Sequence, residues 1–390
     1  MPEGATRLVE VDRDADLRTL SRQFAAVAAV HDRDASFPHD NIAALYRAGL
    51  LGLTVPRRYG GGGAGLAEAA DAIGIIAEGC ASTALIFAMQ LFKHAGFARH
   101  GIWTEALRAR VGMDAVQHGA LVNTLRVEPE LGSPTRGGLP ATVARRLPDG
   151  SAILNGHKIY STGAPGLRWM DVWARSADEP ALVGHVLVPA DAPGVRIVET
   201  WDHHGMRATG SHDVVFTDVH LPPGHMEGLR PPAQWSPDPE QQAWNAAGLG
   251  ALYTGVARAA RDWIVTFLQT RVPTGLGAPL ATLPRMQEKI GEIEMLLTAN
   301  DRLISSIATQ TDRDGPPSPS ESAVVKTMIM ENAVRAVDVA ASLAGNHAHA
   351  RANAIERHLR DVRSGPVQAP QPDAAWLGAG RAVLQRPTGA

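Results

Sequence analysis

Apolar positions recur at helical spacing through the first quarter of the chain. Leu17, Leu20, Phe24, Val27 and Val30 share one face of the segment from Asp16 to Val30, which predicts an amphipathic helix. The run from Asp34 to Phe37 breaks it, Pro38 suits the start of a second helix, and Gly49 suits its end. Ile42, Leu45 and Tyr46 give that second helix its face. Leu53 to Pro56 reads as short and extended, and Tyr59 to Gly65 as a glycine-rich turn. No Lys-Ser/Thr pair follows the glycines and no clear strand precedes them, so they are a turn into the next helix and not a phosphate loop. Leu66 to Gly79 and Ala81 to His100 are apolar on nearly every side, the pattern of central bundle helices. Gln90, Lys93 and His94 interrupt the second of these, and a polar group there either finds a partner or faces a site.

From Ala120 the period shortens. Ala120–Val127, Ala141–Arg146, Ala152–Asn155, Lys158–Ser161, Val172–Arg175, Leu182–Val188, Gly194–Val198 and Val214–Val219 read as strands, with Pro148-Asp149-Gly150 a turn between two of them. Short strands at this density, without alternating helices, predict an antiparallel barrel or sandwich and argue against a Rossmann fold. Pro222 to Pro239 reads as a proline-rich linker. Helical periodicity then returns in long stretches. These are Gln241 to Arg271, a helix carrying Met286, Ile290, Ile293, Leu297 and Ile304, then Glu321 to Ala344 and a shorter Asn353 to Val362. Small residues on the first of them permit the close packing of a four-helix bundle. The expected fold is multi-domain α+β: an N-terminal helical domain over residues 1–119, a middle antiparallel β-barrel or sandwich over 120–226, and a C-terminal four-helix bundle over 240–390.

Composition narrows the function classes. The chain has 390 residues, 45% hydrophobic and 20% charged, with a net charge of −3. That length predicts more than one domain, and the scattered Lys and Arg give no footprint for nucleic acid or an anionic membrane. The single cysteine, Cys80, excludes an internal disulfide and cysteine-rich zinc sites. It lies in an apolar helical stretch and reads as a buried small hydrophobe. The acidic N-terminal stretch is unlike a signal peptide, and no apolar run reaches membrane-spanning length. A cytoplasmic protein with no membrane insertion is expected. His203, His204, His347 and His349 lack a third ligand at metal-site spacing, so no metal is expected.

Three motifs in order carry the chemistry. The first is Val127-Glu128-Pro129-Glu130-Leu131-Gly132-Ser133, and the second is Asn155-Gly156-His157-Lys158-Ile159-Tyr160-Ser161-Thr162. The third is Gly205-Met206-Arg207-Ala208-Thr209-Gly210-Ser211-His212-Asp213. Read singly, Tyr160 suits an ordinary barrel aromatic, and Glu128-Pro129 a turn that ends a strand. Together, between two helical regions, they make nearly the whole chain resemble the acyl-CoA dehydrogenase family of flavoproteins. The resemblance implies FAD, with FMN the lesser alternative. It also implies that Thr162 donates to flavin N5, that Tyr160 flanks the ring beside Ser161, and that Thr124 to Val127 run along its pyrimidine side. Gly132 and Ser133 would approach the dinucleotide and the substrate's thioester arm. Arg271, ending the first long bundle helix, would hold the pyrophosphate across a subunit boundary, with Gln287 near the adenine. A planar guanidinium suits that task. A homodimer or homotetramer follows.

The resemblance fails at the base. Removing a weakly acidic proton next to a thioester carbonyl needs a positioned carboxylate. The two positions at which the family places it are Ala369, eight residues past Asp361, and Asn245, counted back from Arg271. Two enzyme functions remain. One is α,β-dehydrogenation of an acyl-CoA-type thioester with a base from elsewhere, such as His94, Glu240 or Asp373, and electron-transfer flavoprotein as acceptor. The other is a flavin monooxygenase of the same fold fed by a flavin reductase, in which Gln90, Lys93 and His94 would face the ring. A non-catalytic flavin-binding member is the third possibility.

Overall fold

The computed structural model describes residues 13–99, 102–131, 138–236 and 238–385. The N-terminal part comprises α1 (Arg13–Asp34), α2 (His39–Arg47), α3 (Leu66–Gly79), α4 (Ala81–Arg99) and α5 (Glu105–His118). α3 and α4 are buried almost throughout, as their uninterrupted apolar sequence requires. Thr104 caps α5 by accepting from the Leu107 amide, and Gly119 in the left-handed region ends it.

The middle part is one seven-stranded sheet. Its strands are β1 (Leu121–Leu125), β2 (Val143–Arg146), β3 (Ala152–Lys158), β4 (Leu167–Ser176), β5 (Val183–Pro189), β6 (Val195–Val198) and β7 (Asp213–Leu221). The order is β1-β4-β2-β3-β7-β6, with β5 on β4. The expected fold class holds, but the sheet is mixed: β1 and β2 both run parallel to β4. The turn chemistry read from the sequence reports only local hairpins, and these two pairings are long-range. Ala152–Asn155 and Lys158–Ser161, expected as two strands, are a single β3 that ends at Lys158, because its pairing with β7 resumes at Gly156–Phe216 after a register shift between Leu154 and Gly156.

The C-terminal part comprises α6 (Pro239–Trp244), α7 (Gly250–Thr270), α8 (Pro284–Arg313), α9 (Pro319–Ala344), α10 (Ala354–Asp361) and α11 (Pro372–Leu384). The helix expected to be continuous from Gln241 to Arg271 carries a π-helical segment at Asn245–Leu249. Such insertions concentrate at functional sites, and this one contains Asn245, one of the two positions at which the resemblance implies a base. α3 and α7 cross closely: a Cβ on Gly255 would stand 2.4 Å from the Gly74 carbonyl oxygen. α4 is shared by all three parts, packing on β1, α6 and α7.

Candidate functional site

β3 leads straight into the loop 159–163. Tyr160 there has φ 56°, a region non-glycine residues seldom occupy, and the residue is 54% exposed. The ring meets Trp201 and His203 edge-on at 6.2 and 5.8 Å, and those two stack at 3.6 Å. The next residue, Ser161, is buried, and its hydroxyl has no hydrogen-bond partner among the described residues. The Thr162 hydroxyl is part-buried and lies 3.0 Å from that of Ser211. The loop is fixed on three sides. Ser161 N donates to His212 O, Gly163 N to Thr209 O, and Asn123 Nδ2 to Thr162 O.

A buried ion pair joins the first two motifs. Lys158 Nζ donates to Glu128 Oε1 at 2.6 Å, with the two side chains 0% and 1% exposed. The same carboxylate accepts from Ala141 N, Thr142 N and Thr142 Oγ1. Burial pushes the Glu128 carboxyl up, yet Lys158 and Thr142 hold it below the usual glutamate range. Burial brings Lys158 down to about 8 against the pull of Glu128. The glycine of Asn155-Gly156 is forced by this arrangement, since a Cβ there would stand 2.4 Å from Thr142 Oγ1. Glu128-Pro129 is therefore more than a strand-ending turn: Glu128 fastens β3, and hence the Tyr160–Thr162 loop, to the segment after β1.

A second buried cluster lies between α4 and the sheet. Asp171 on β4 is fully buried and accepts from Lys93 Nζ, from His185 Nδ1 at 2.9 Å and from Thr124 Oγ1 at 3.0 Å. Burial would raise its carboxyl, but His185 and Lys93 hold it well below the ordinary aspartate value. Thr124 is thus turned toward Asp171, while its neighbour Asn123 reaches the Thr162 loop. Val127 meets that loop through its backbone, accepting from Ile159 N at 3.0 Å.

The three polar residues of α4 do not act together. Lys93 takes Asp171, whereas Gln90 spends its amide on Leu51 O, Ala120 O, Val122 N and the ring of His94. His94 is 1% exposed, and burial, aided by Lys93, pushes it down to about 3. It is a neutral packing group that binds Gln90, which removes it from any open face. Glu240 pairs with Arg99 at 3.2 Å. Asn245 accepts from Gln241 at 3.0 Å. Ala369 follows Gln368, whose carbonyl, like that of Pro370, accepts from the buried Lys326 ammonium. Asp373 is exposed at the start of α11 and already has a partner.

Arg271 and Gln287 converge on one turn: Leu280 N donates to Arg271 O, and Gln287 Nε2 to Ala281 O. Both side chains are exposed. Gly132 and Ser133 lie outside the described residues. A cleft of about 650 Å³ opens on another face, between α1, α3, α7 and α8, and none of the candidate site residues line it. Among the described residues no three His, Cys, Asp or Glu side chains could hold a metal, and no helix is long and apolar enough to cross a membrane.

An exposed aromatic wall, an open hydroxyl and an unpartnered buried hydroxyl on one rigid loop fit a flat, partly apolar ring with polar edges, which is what a flavin presents. The models of the acyl-CoA dehydrogenase N-terminal, middle and C-terminal domains match residues 13–111, 126–219 and 247–367. YdbM of Bacillus subtilis (strain 168), an acyl-CoA dehydrogenase by name, is 34% identical over 91% of this chain and 92% of its own length.

The chain belongs to the acyl-CoA dehydrogenase family.

It is a flavin-dependent oxidoreductase of that family. The amino sugar nitrososynthase RubN8 of Streptomyces rubradiris is 30% identical over 95% of this chain and 89% of its own length. Butyryl-CoA dehydrogenase from Megasphaera elsdenii has the same fold, with a TM-score of 0.85, 22% identity and coverage of 99% of this chain and 100% of that one.

Sequence reasoning missed Asp171, His185, Lys326 and the pairing of Glu128 with Lys158. For the last pair a signal existed, since both residues are fixed members of the motifs. The others come together only through tertiary packing.

Proposed function

We propose that this chain is a flavin-dependent monooxygenase-type enzyme, working with reduced FAD, or FMN, and dioxygen, and that it does not draw an α-proton from an acyl thioester. The observation that carries the reading is the residue pair at the family's base positions, Asn245 and Ala369. The substitutes are otherwise engaged: Glu240 by Arg99, and His94 by Gln90 in the buried interior. Similarity to a nitrososynthase over nearly the whole chain supports the reading.

When bound, the reduced cofactor supplies the two electrons that let dioxygen give one atom to a substrate and the other to water. The chain's own part is positional. Tyr160, with Trp201 and His203 behind it, would wall one side of the ring, and the Thr162 hydroxyl would meet N5. The buried Ser161 hydroxyl would find there the partner it lacks. Arg271 and Gln287, both exposed, would serve the flavin of a second copy, in a homodimer or homotetramer. A flavin reductase would be the redox partner.

A second reading, α,β-dehydrogenation of an acyl-CoA-type thioester with an electron-transfer flavoprotein as acceptor, is favoured by the 34% identity to YdbM. Anaerobic mixing of the oxidised holoprotein with an acyl-CoA panel separates the two. Bleaching of the flavin by any member would favour dehydrogenation. No bleaching, with oxygen-dependent product formed from reduced flavin, supports the monooxygenase.

A further inference from the structure

The third motif contributes two hydroxyls that the account so far leaves unused. Thr209 is fully buried and Ser211 nearly so. Thr209 Oγ1 donates to the Met206 carbonyl at 3.0 Å. Ser211 Oγ lies 2.8 Å from Thr209 Oγ1 and 3.0 Å from Thr162 Oγ1. The far end is held as well, because Met206 N donates to the buried Asp361 carboxyl at 2.6 Å. Of the three residues, Thr162 alone is not buried but half-buried, toward the open side.

Each hydroxyl has one hydrogen. With the Thr209 hydrogen given to Met206 O, Ser211 must donate to Thr209 and Thr162 to Ser211. Thr162 then offers only lone pairs to the open side. For Thr162 to donate outward and stay bonded to Ser211, all three hydroxyls must turn over and Thr209 must leave Met206 O. That carbonyl keeps two other donors, Thr209 N and Trp201 Nε1, so the reversal is possible but forfeits one hydrogen bond. Turning Thr162 alone forfeits its bond to Ser211 instead.

We infer that Thr209 and Ser211 are positioning residues: with Thr162 they form a hydroxyl relay whose direction follows the oxidation state of the bound flavin and favours the reduced form. The inference rests on the placement of flavin N5 at Thr162. Oxidised N5 is an acceptor and needs the relay to run outward. Reduced N5 carries a hydrogen and needs it to run inward to Met206 O, the direction the protein satisfies fully. A site that holds reduced flavin for reaction with dioxygen is served by that bias.

The test measures dissociation constants of oxidised FAD and of FAD reduced under anaerobic conditions, for wild type, Ser211→Ala, Thr209→Val and Ser211→Thr. Removing the Ser211 hydroxyl frees Thr162 to donate outward and deprives its hydrogen of an inward acceptor. The ratio Kd(reduced)/Kd(oxidised) should rise roughly three- to tenfold, the worth of about one hydrogen bond. Thr209→Val, close in shape, should raise it in the same direction, and Ser211→Thr should keep the wild-type ratio. Equal weakening of both redox forms in Ser211→Ala and Thr209→Val would show a purely structural role and overturn the relay. If the wild type takes up FAD but Thr162→Val leaves the ratio unchanged, the placement of N5 is wrong. If the wild type takes up no flavin, the functional reading falls, and the relay with it.

Discussion

Replacing Lys158 by Met tests whether the buried Glu128–Lys158 pair is the element that sets the flavin loop. The methionine keeps most of the side-chain volume and removes the charge. Glu128 would be left 1% exposed with three donors, Ala141 N, Thr142 N and Thr142 Oγ1, but no counter-charge. Breaking one partner of a buried pair costs about 3–5 kcal/mol. With a urea dependence of about 2–3 kcal/mol/M, the unfolding transition that reports the middle domain should move down by at least ~1 M. Tryptophan fluorescence reads it, since Trp169, Trp173 and Trp201 lie in that domain. A chain this large need not unfold in one step, so the transition is compared between variants and not extrapolated to water. The double variant Glu128→Gln with Lys158→Met removes both charges, and should recover more than half of the loss if the pair is coupled. FAD affinity should fall in the single variant, because Tyr160 is two residues from Lys158. A single-variant loss below ~1 kcal/mol, or strict additivity in the double variant, would refute the argument.

Three further outcomes are expected. Burial, opposed in part by the Met206 amide, raises the Asp361 carboxyl from 3.8 to about 6. With the folded value above the unfolded one, the stability from this group is fully present below pH ~4 and lost as pH rises through 6, amounting to about 3 kcal/mol. Asp361→Asn, which keeps an acceptor for Met206, should therefore gain on wild type in thermal melts as pH rises from 4 to 7. Tyr160→Gly should relieve the positive φ and raise stability by about 1 kcal/mol, while weakening FAD measurably in a fluorescence titration. Lys326→Met frees the Gln368 and Pro370 carbonyls, so limited proteolysis should cut the 366–371 segment faster, even though losing a buried cation with no carboxylate partner among the described residues need not lower global stability.

Periodicity marked the helices and most strands because each needs only local information. α3 and α4 were readable as central helices from their unbroken apolar sequence. What escaped was long-range or geometric. The parallel pairing of β1 and β2 with β4 follows from strand order, which turn residues do not encode. The π-segment at Asn245–Leu249 has no composition signal in a stretch of small residues. At the site, Tyr160 and Thr162 stood out through the motif, and the structure sets them on one pinned loop. Gln90, Lys93 and His94 share a helix turn in sequence, yet the fold hands Lys93 to Asp171 and buries the other two with each other. The partners of Thr162, Thr209 and Ser211, were visible in the third motif. Their role depends on hydroxyl distances that only the tertiary structure supplies.

The most direct test of the central claim is the flavin colour of the oxidised holoprotein mixed anaerobically with saturated acyl-CoAs. With Asn245 and Ala369 at the two positions where the family resemblance implies a base, no acyl-CoA should bleach the flavin, and installing a carboxylate by Ala369→Glu should be needed before any does. Rapid bleaching of the unmodified protein by an acyl-CoA would contradict the account, because it would require a base that neither position supplies.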